Sequence, residues 1–212
     1  MTLTKKQTGI YIDDSISDDL LSTDGIIFDC DGVLIDITKS YDLTIDKTVK
    51  YILKNFFQIT NCIQINSKII DGFKSSGGFN DEVDLTYASI LSLAVAKKLD
   101  RSQHEFIFDV ISNADPSGIM SVEKYLETLV DIDEIKNKLS FPGIRNDNPI
   151  YKIFDQIFYG PELYGRLFKH ESQFLEPGLI ENDIIIVNNF LIEKLQKKFS
   201  SKISIVSGRG KE

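Results

Sequence analysis

The sequence predicts an α/β fold in which a small parallel sheet carries a large all-helical insertion after its first strand. Two observations come from opposite ends of the chain. Gly25-Ile26-Ile27-Phe28 and Lys202-Ile203-Ser204-Ile205-Val206 are short runs rich in β-branched residues, each stopping at a polar, glycine-containing turn. Apolar residues at successive positions are the pattern of parallel strands buried on both faces. The third observation lies between them, where apolar residues recur at helical spacing instead.

Taken in order, residues 1–22 are polar, with Asp13, Asp14, Asp18 and Asp19 close together, and read as a leader with at most a short helix or strand. The first strand stops at Asp29-Cys30-Asp31-Gly32. From Ser40 the period changes: Ile45, Val49, Ile52, Leu53 and Phe56 form one helical stripe, with Asp46, Lys47, Lys50 and Lys54 between them. A second helix is expected over 65–73, then a breaker at Ser75-Ser76-Gly77-Gly78. Further helices are expected over 85–99, 105–112, 120–129 and 151–158, with loop signals at Phe141-Pro142-Gly143 and Gly160-Pro161. Glu176-Pro177-Gly178 breaks the chain again. The stretch 183–187 is a short strand or a buried turn, and Asn188 or Asn189 caps a helix over 190–199. The expected organisation is a leader (1–22), an incomplete sheet core (23–39 with 179–212) and a helical domain (40–178).

Composition narrows the function. With 212 residues, 42% hydrophobic and 26% charged, the chain is of ordinary globular type. A formal charge of −8 argues against nucleic acid or an anionic membrane surface as a main partner. No apolar run approaches the roughly 20 residues needed to cross a bilayer. The N-terminal residues show no apolar signal region, so a cytoplasmic location is expected. Two cysteines (Cys30, Cys62) make no disulfide framework, and two histidines (His104, His170) make no zinc cluster.

The chemistry sits just past the two strands. In an open parallel sheet, ligands bind beyond the carboxyl ends of the strands. Asp29 and Asp31, two residues apart, can converge on one ligand there. Two carboxylates allow one to serve as nucleophile or metal ligand and the other as acid/base. Gly32 permits a sharp turn. Ser207-Gly208 offers a hydroxyl and amides suited to a phosphate oxygen. The plainer readings are that Asp and Gly are common loop residues, that Asp36 is a cap, and that Cys30 is a small buried side chain. Gly208-Arg209-Gly210-Lys211 fails the Walker pattern, since Ile205 stands where its first glycine belongs and Glu212 where Ser or Thr belongs.

The segment 28–36, Phe-Asp-Cys-Asp-Gly-Val-Leu-Ile-Asp, resembles the first motif of the haloacid dehalogenase (HAD) superfamily, and Ile203-Ser204-Ile205-Val206-Ser207-Gly208 resembles its second. The helical insertion lies where subfamily I members carry a cap. The segments 36–41 and 73–80 further resemble an archaeal and cyanobacterial phosphatase-like clade. The resemblance implies a partial Rossmann-like HAD core with a helical cap, and an enzyme hydrolysing a small phosphorylated metabolite in the manner of phosphoglycolate phosphatase. It implies Asp29 as nucleophile and Asp31 as acid/base. Mg²⁺ would be held by the Asp29 carboxylate and the Asp31 backbone carbonyl, and Ser207, Gly208, Cys30 and Gly32 would be phosphate-binding positions. Lys74 and Asn80, flanking the Gly77-Gly78 loop, are the candidate specificity residues of the cap, with a solvated turn as the alternative.

The family's third and fourth motifs, a Lys or Arg and a later acidic pair, are absent, because the chain ends five residues after Ser207. Lys211 lies too close to Ser207 to be that lysine. Little activity and weak Mg²⁺ affinity are therefore expected of this chain alone, with self-association through an exposed sheet edge. A phosphomutase shares these residues, and a dehalogenase shares the nucleophile but needs neither Mg²⁺ nor Asp31. A binding protein or fragment with a vestigial core is the non-enzymatic alternative.

Overall fold

The computed structural model describes residues 3–145 and 147–208. In chain order it contains β1 (Leu3–Gln7), β2 (Ile10–Asp13), α1 (Ser17–Ser22), β3 (Ile26–Asp29), β4 (Ile35–Asp36) and α2 (Tyr41–Phe57). Then follow α3 (Ser67–Ser75), α4 (Glu82–Lys98), α5 (Gln103–Ser112), α6 (Ile119–Glu127), α7 (Asp133–Leu139) and α8 (Pro149–Phe168). The chain closes with β5 (Ile184–Ile185), α9 (Asn189–Phe199) and β6 (Ile203–Val206). The fold is α/β, mostly helical with a small parallel sheet. No helix among the described residues is long and apolar enough to cross a membrane.

Two compact units divide the chain, one of residues 1–36 with 184–212 and the other of 37–183. In the first, β3 and β6 pair in parallel with Ile26 opposite Ile203 and Asp29 opposite Val206. β4 pairs antiparallel with β5, Asp36 opposite Ile184. Residues 3–22, expected to hold at most a short helix or strand, carry a hairpin of β1 and β2 closed around Gly9 at φ +80°, followed by α1. Their polar side chains hide the alternation that usually marks strands.

The expectation of strands buried on both faces also needs correction. Ile27 is 71% exposed, Ile205 60% and Val206 64%, so only Ile26, Phe28 and Ile203 are partly covered. α9 likewise buries only Phe199 and leaves Phe190 and Leu191 exposed.

The helical unit holds the main core. Its axis is α4, in which every residue from Leu85 to Ala96 is buried, because α2, α5, α6, α7 and α8 surround it. A helix apolar all round belongs at the centre of a bundle. α4 begins at Glu82, earlier than its apolar run, because the Asp81 side chain accepts from the Val83 amide at 2.7 Å and caps the first turn. Asn66, Ser102, Asn148 and Asn188 cap α3, α5, α8 and α9 in the same way.

Two differences from the sequence reading have local causes. α7 is too short for a periodic stripe; Ile135 and Leu139 are its only buried residues. The Gly160-Pro161 break proves to be a kink: Gly160 takes φ +71° and ψ 172°, and the helix resumes through Pro161 to Phe168. Proline at a restarted first turn loses no hydrogen bond that the turn would have made.

Burial, reinforced by the nearby Asp81 charge, pushes the Asp84 carboxyl up to about 6 from an ordinary 3.8. The folded chain then holds that proton more tightly than the unfolded chain. Stability consequently falls as pH rises between about 4 and 6 and stays lower above. Asp84→Asn is expected to raise Tm at pH 7.5 and to leave it unchanged at pH 4. The gain is on the order of 1 kcal/mol once discounted for the half-exposed side chain. Thermal melts giving equal shifts at both pH values would exclude this origin.

Candidate active site

β3 delivers Asp29 as its last residue, level with Val206, the last residue of β6. Adjacent strands lie about 4.8 Å apart, so Ser207 and Gly208 leave the sheet beside the point where Asp29 leaves it. Asp29 and Ser207 are exposed, whereas Cys30 and Asp31 are half-buried.

The loop after β3 closes on itself. The Cys30 carbonyl accepts from the amides of Val33 (3.3 Å), Leu34 (2.8 Å) and Ile35 (3.1 Å), and the Gly32 amide donates to the Ile35 carbonyl at 2.8 Å. Gly32 takes φ +74°, a value that would strain a residue with a β-carbon. The Ile186 amide donates to the Leu34 carbonyl at 2.9 Å, tying the loop's far side to the strand after the insertion. The loop that presents Asp31 is thus braced from both directions. Asp29 is oriented by its neighbour: the Cys30 amide donates to Asp29 Oδ1 at 2.7 Å.

These bonds bear on the phosphate-binding positions. The amides of Cys30 and Gly32 are committed to Asp29 and Ile35, so in this arrangement neither is offered to a ligand. Ser207 and Gly208 stand at the open edge, and a β-carbon on Gly208 would meet nothing within 4 Å. The reading of Lys211 lies outside the described residues. For a metal, the donors at this edge are oxygens, from Asp29 and Asp31, which suits a hard cation such as Mg²⁺ better than zinc. No cluster of three or more His, Cys, Asp or Glu side chains arranged for a metal occurs among the described residues.

Lys74 and Asn80 belong to the helical unit. Lys74 Nζ lies 3.2 Å from Glu82 Oε1 and ties the end of α3 to the start of α4; Asn80 is exposed. The Gly77-Gly78 loop has a packing reason of its own. A β-carbon on Gly78 would fall 2.4 Å from the Gly118 amide nitrogen, so two backbones meet where no side chain fits. His104 is exposed with its ring 5.1 Å from that of Phe108, and His170 is exposed beyond α8.

One contact that closes the helical unit escapes any sequence pattern. The buried Ser40 hydroxyl, at the start of α2, bonds to the Asp183 carboxylate and to the Ile37 carbonyl. It joins the two ends of the helical unit across 143 positions of sequence, and nothing local announces it.

No family model matches the sequence, and no curated protein does either. Two solved structures are similar to it. One is phosphatase Tt82 from Thermococcus thioreducens, with a TM-score of 0.51 and 24% identity over 87% of this chain and 62% of that one. The other is a target of the Northeast Structural Genomics Consortium, with a TM-score of 0.54 and 15% identity over 89% of this chain and 63% of that one. At these identities, the likeness is one of fold. The chain spans less than two thirds of the length of either structure.

Proposed function

We propose that the protein is a HAD-type phosphatase, hydrolysing a small phosphate monoester through Asp29 with Mg²⁺ as cofactor. The observation that carries this reading is the parallel pairing of Asp29 with Val206, with Ser207 following at the same sheet edge. The resemblance of both flanking motifs supports it, as does the similar fold of a structure named a phosphatase.

In this reading an Asp29 carboxylate oxygen attacks phosphorus, forming an aspartyl-phosphate as the bond to the leaving alkoxide breaks. Asp31 gives its proton to that alkoxide. The Asp31 carboxylate then takes a proton from water as the hydroxyl attacks the same phosphorus, releasing phosphate and restoring Asp29. The Cys30 amide holds one carboxylate oxygen of Asp29, leaving the other to attack. The Ser207 hydroxyl donates to a phosphoryl oxygen. Asp29 and the Asp31 backbone carbonyl would hold Mg²⁺, which when bound offsets charge on the phosphoryl group.

The test is hydrolysis of an aryl phosphate by the protein with Mg²⁺ and with EDTA. Low turnover, supported by high Mg²⁺ and lost with the chelator, is expected of this chain. Turnover indifferent to the chelator would defeat the metal assignment, and none under either condition would defeat the phosphatase reading.

A further inference from the structure

We infer that the helical unit carries an organophosphate-binding pocket on the exposed face of α2, built from none of the residues assigned to phosphoryl transfer. Lys47, Lys50, Tyr51 and Lys54 follow one another at helical steps of three, one and three, and so form one stripe. They line a cavity of about 340 Å³ together with Ile157, Phe174 and Leu179. That volume lies within the roughly 300–1,000 Å³ usual for small-molecule sites.

Its wall is pinned. The buried Gln156 side chain donates to the Lys152 carbonyl at 3.0 Å and accepts from the Gln173 amide at 2.8 Å. The Tyr51 hydroxyl donates to Gln173 Oε1 at 3.1 Å, and the Phe174 ring packs edge-on against Tyr51 at 5.2 Å. The pocket is therefore preorganised, with an aromatic and aliphatic floor under a polar rim.

The charges at the rim favour an anion. Lys50 is held by Asp46 at 2.7 Å, but Lys47 and Lys54 make no ion pair among the described residues. Glu176 is the one acid among the lining residues, against three lysines. In a chain of net charge −8, this local excess of cation runs against the average. The ammonium groups of Lys47 and Lys54, with Lys50 shared with Asp46, are point charges that suit the spread charge of a phosphate dianion. A planar carboxylate is better matched by the fork of an arginine. The adjoining apolar floor calls for an organic body on that phosphate, since inorganic phosphate would leave Phe174 and Ile157 against water.

Titrating ¹⁵N-labelled protein carrying Asp29→Asn, which prevents turnover, tests this. The probes are phenyl phosphate, inorganic phosphate and benzyl alcohol. Phenyl phosphate is expected to move the amide resonances of 47–54 and 172–179 and to bind more tightly than inorganic phosphate, while benzyl alcohol leaves them in place. Lys47→Gln with Lys54→Gln removes two exposed charges and should weaken phenyl phosphate binding about tenfold. Lys50 is left alone because its partner Asp46 also accepts from the Ile65 amide at 2.9 Å. Phe174→Ala should weaken phenyl phosphate and spare inorganic phosphate. Resonance changes confined to other segments, or undiminished affinity in the double-lysine variant, would overturn the inference.

Discussion

Replacing Asp29 with Asn is expected to abolish turnover of an aryl phosphate, because an amide oxygen does not attack phosphorus to give a hydrolysable acyl phosphate. Asp31→Asn should retain a residue of activity, slowed by about 10²–10⁴, the usual worth of a positioned acid or base. The two variants differ in kind as well as degree. With a poor leaving group, Asp31→Asn loses the proton donor for the first step. With 4-nitrophenyl phosphate, whose leaving group needs little protonation, the second step suffers most and phosphorylated protein should accumulate. Intact-mass measurement after an acid quench reads this as one added phosphoryl group in Asp31→Asn and none in Asp29→Asn. Hydrolysis by Asp29→Asn at the wild-type rate would remove the aspartyl-phosphate route.

Gly160→Ala should cost about 3 kcal/mol or more of folding stability. Two effects act at the same atom. The combination of φ +71° and ψ 172° is essentially restricted to glycine. A β-carbon would also fall 2.3 Å from the Gly178 amide nitrogen, which is backbone and cannot swing aside. Gly165→Ala, five residues on in the same helix, is the matched control. Its β-carbon would meet only the His170 carbonyl oxygen at 3.6 Å, an ordinary contact. Alanine in a helix interior gains about 0.5–1 kcal/mol over glycine. Urea unfolding should therefore move the two midpoints in opposite directions. A Gly160→Ala midpoint level with wild type would mean that the kink tolerates a side chain.

The parts of the molecule that could be read from sequence are those whose cause is local. β3 and β6 each combine β-branched residues with an abrupt polar stop. Both halves of the candidate site, Asp29 to Gly32 and Ser207-Gly208, follow directly from those stops. α2 could be read because Ile45, Val49, Ile52 and Leu53 recur at helical spacing with lysines between them, although Asp46 is buried beside them. α4 could be read from its uncharged, mostly apolar run from Leu85 to Ala96, broken only by Thr86, Ser89 and Ser92. What escaped depends on partners distant in sequence. The exposure of Ile27 and Ile205 depends on what covers a strand, which the strand's own composition does not state. The amides of Cys30 and Gly32 read as available from sequence, but Asp29 and Ile35 occupy them. The pocket over α2 needed Gln156 and Phe174 brought alongside Tyr51, and no spacing rule links residues more than a hundred positions apart.

The bond from Ser40 to Asp183, together with the pairing of Asp36 and Ile184, means that the helical unit leaves the sheet-bearing chain and returns to it at nearly one point. To the strands, an excursion of well over a hundred residues is therefore equivalent to a tight turn. The entropy of closing so long a loop is met inside the excursion, by a core that folds around α4, and is not charged to a two-stranded sheet with little burial of its own. Such a joint lets the excursion grow, shrink or be exchanged for another without disturbing the register that sets Asp29 opposite Val206. The sheet edge and the helical unit are in this sense separable, linked by the chain at 36–37 and at 183–184.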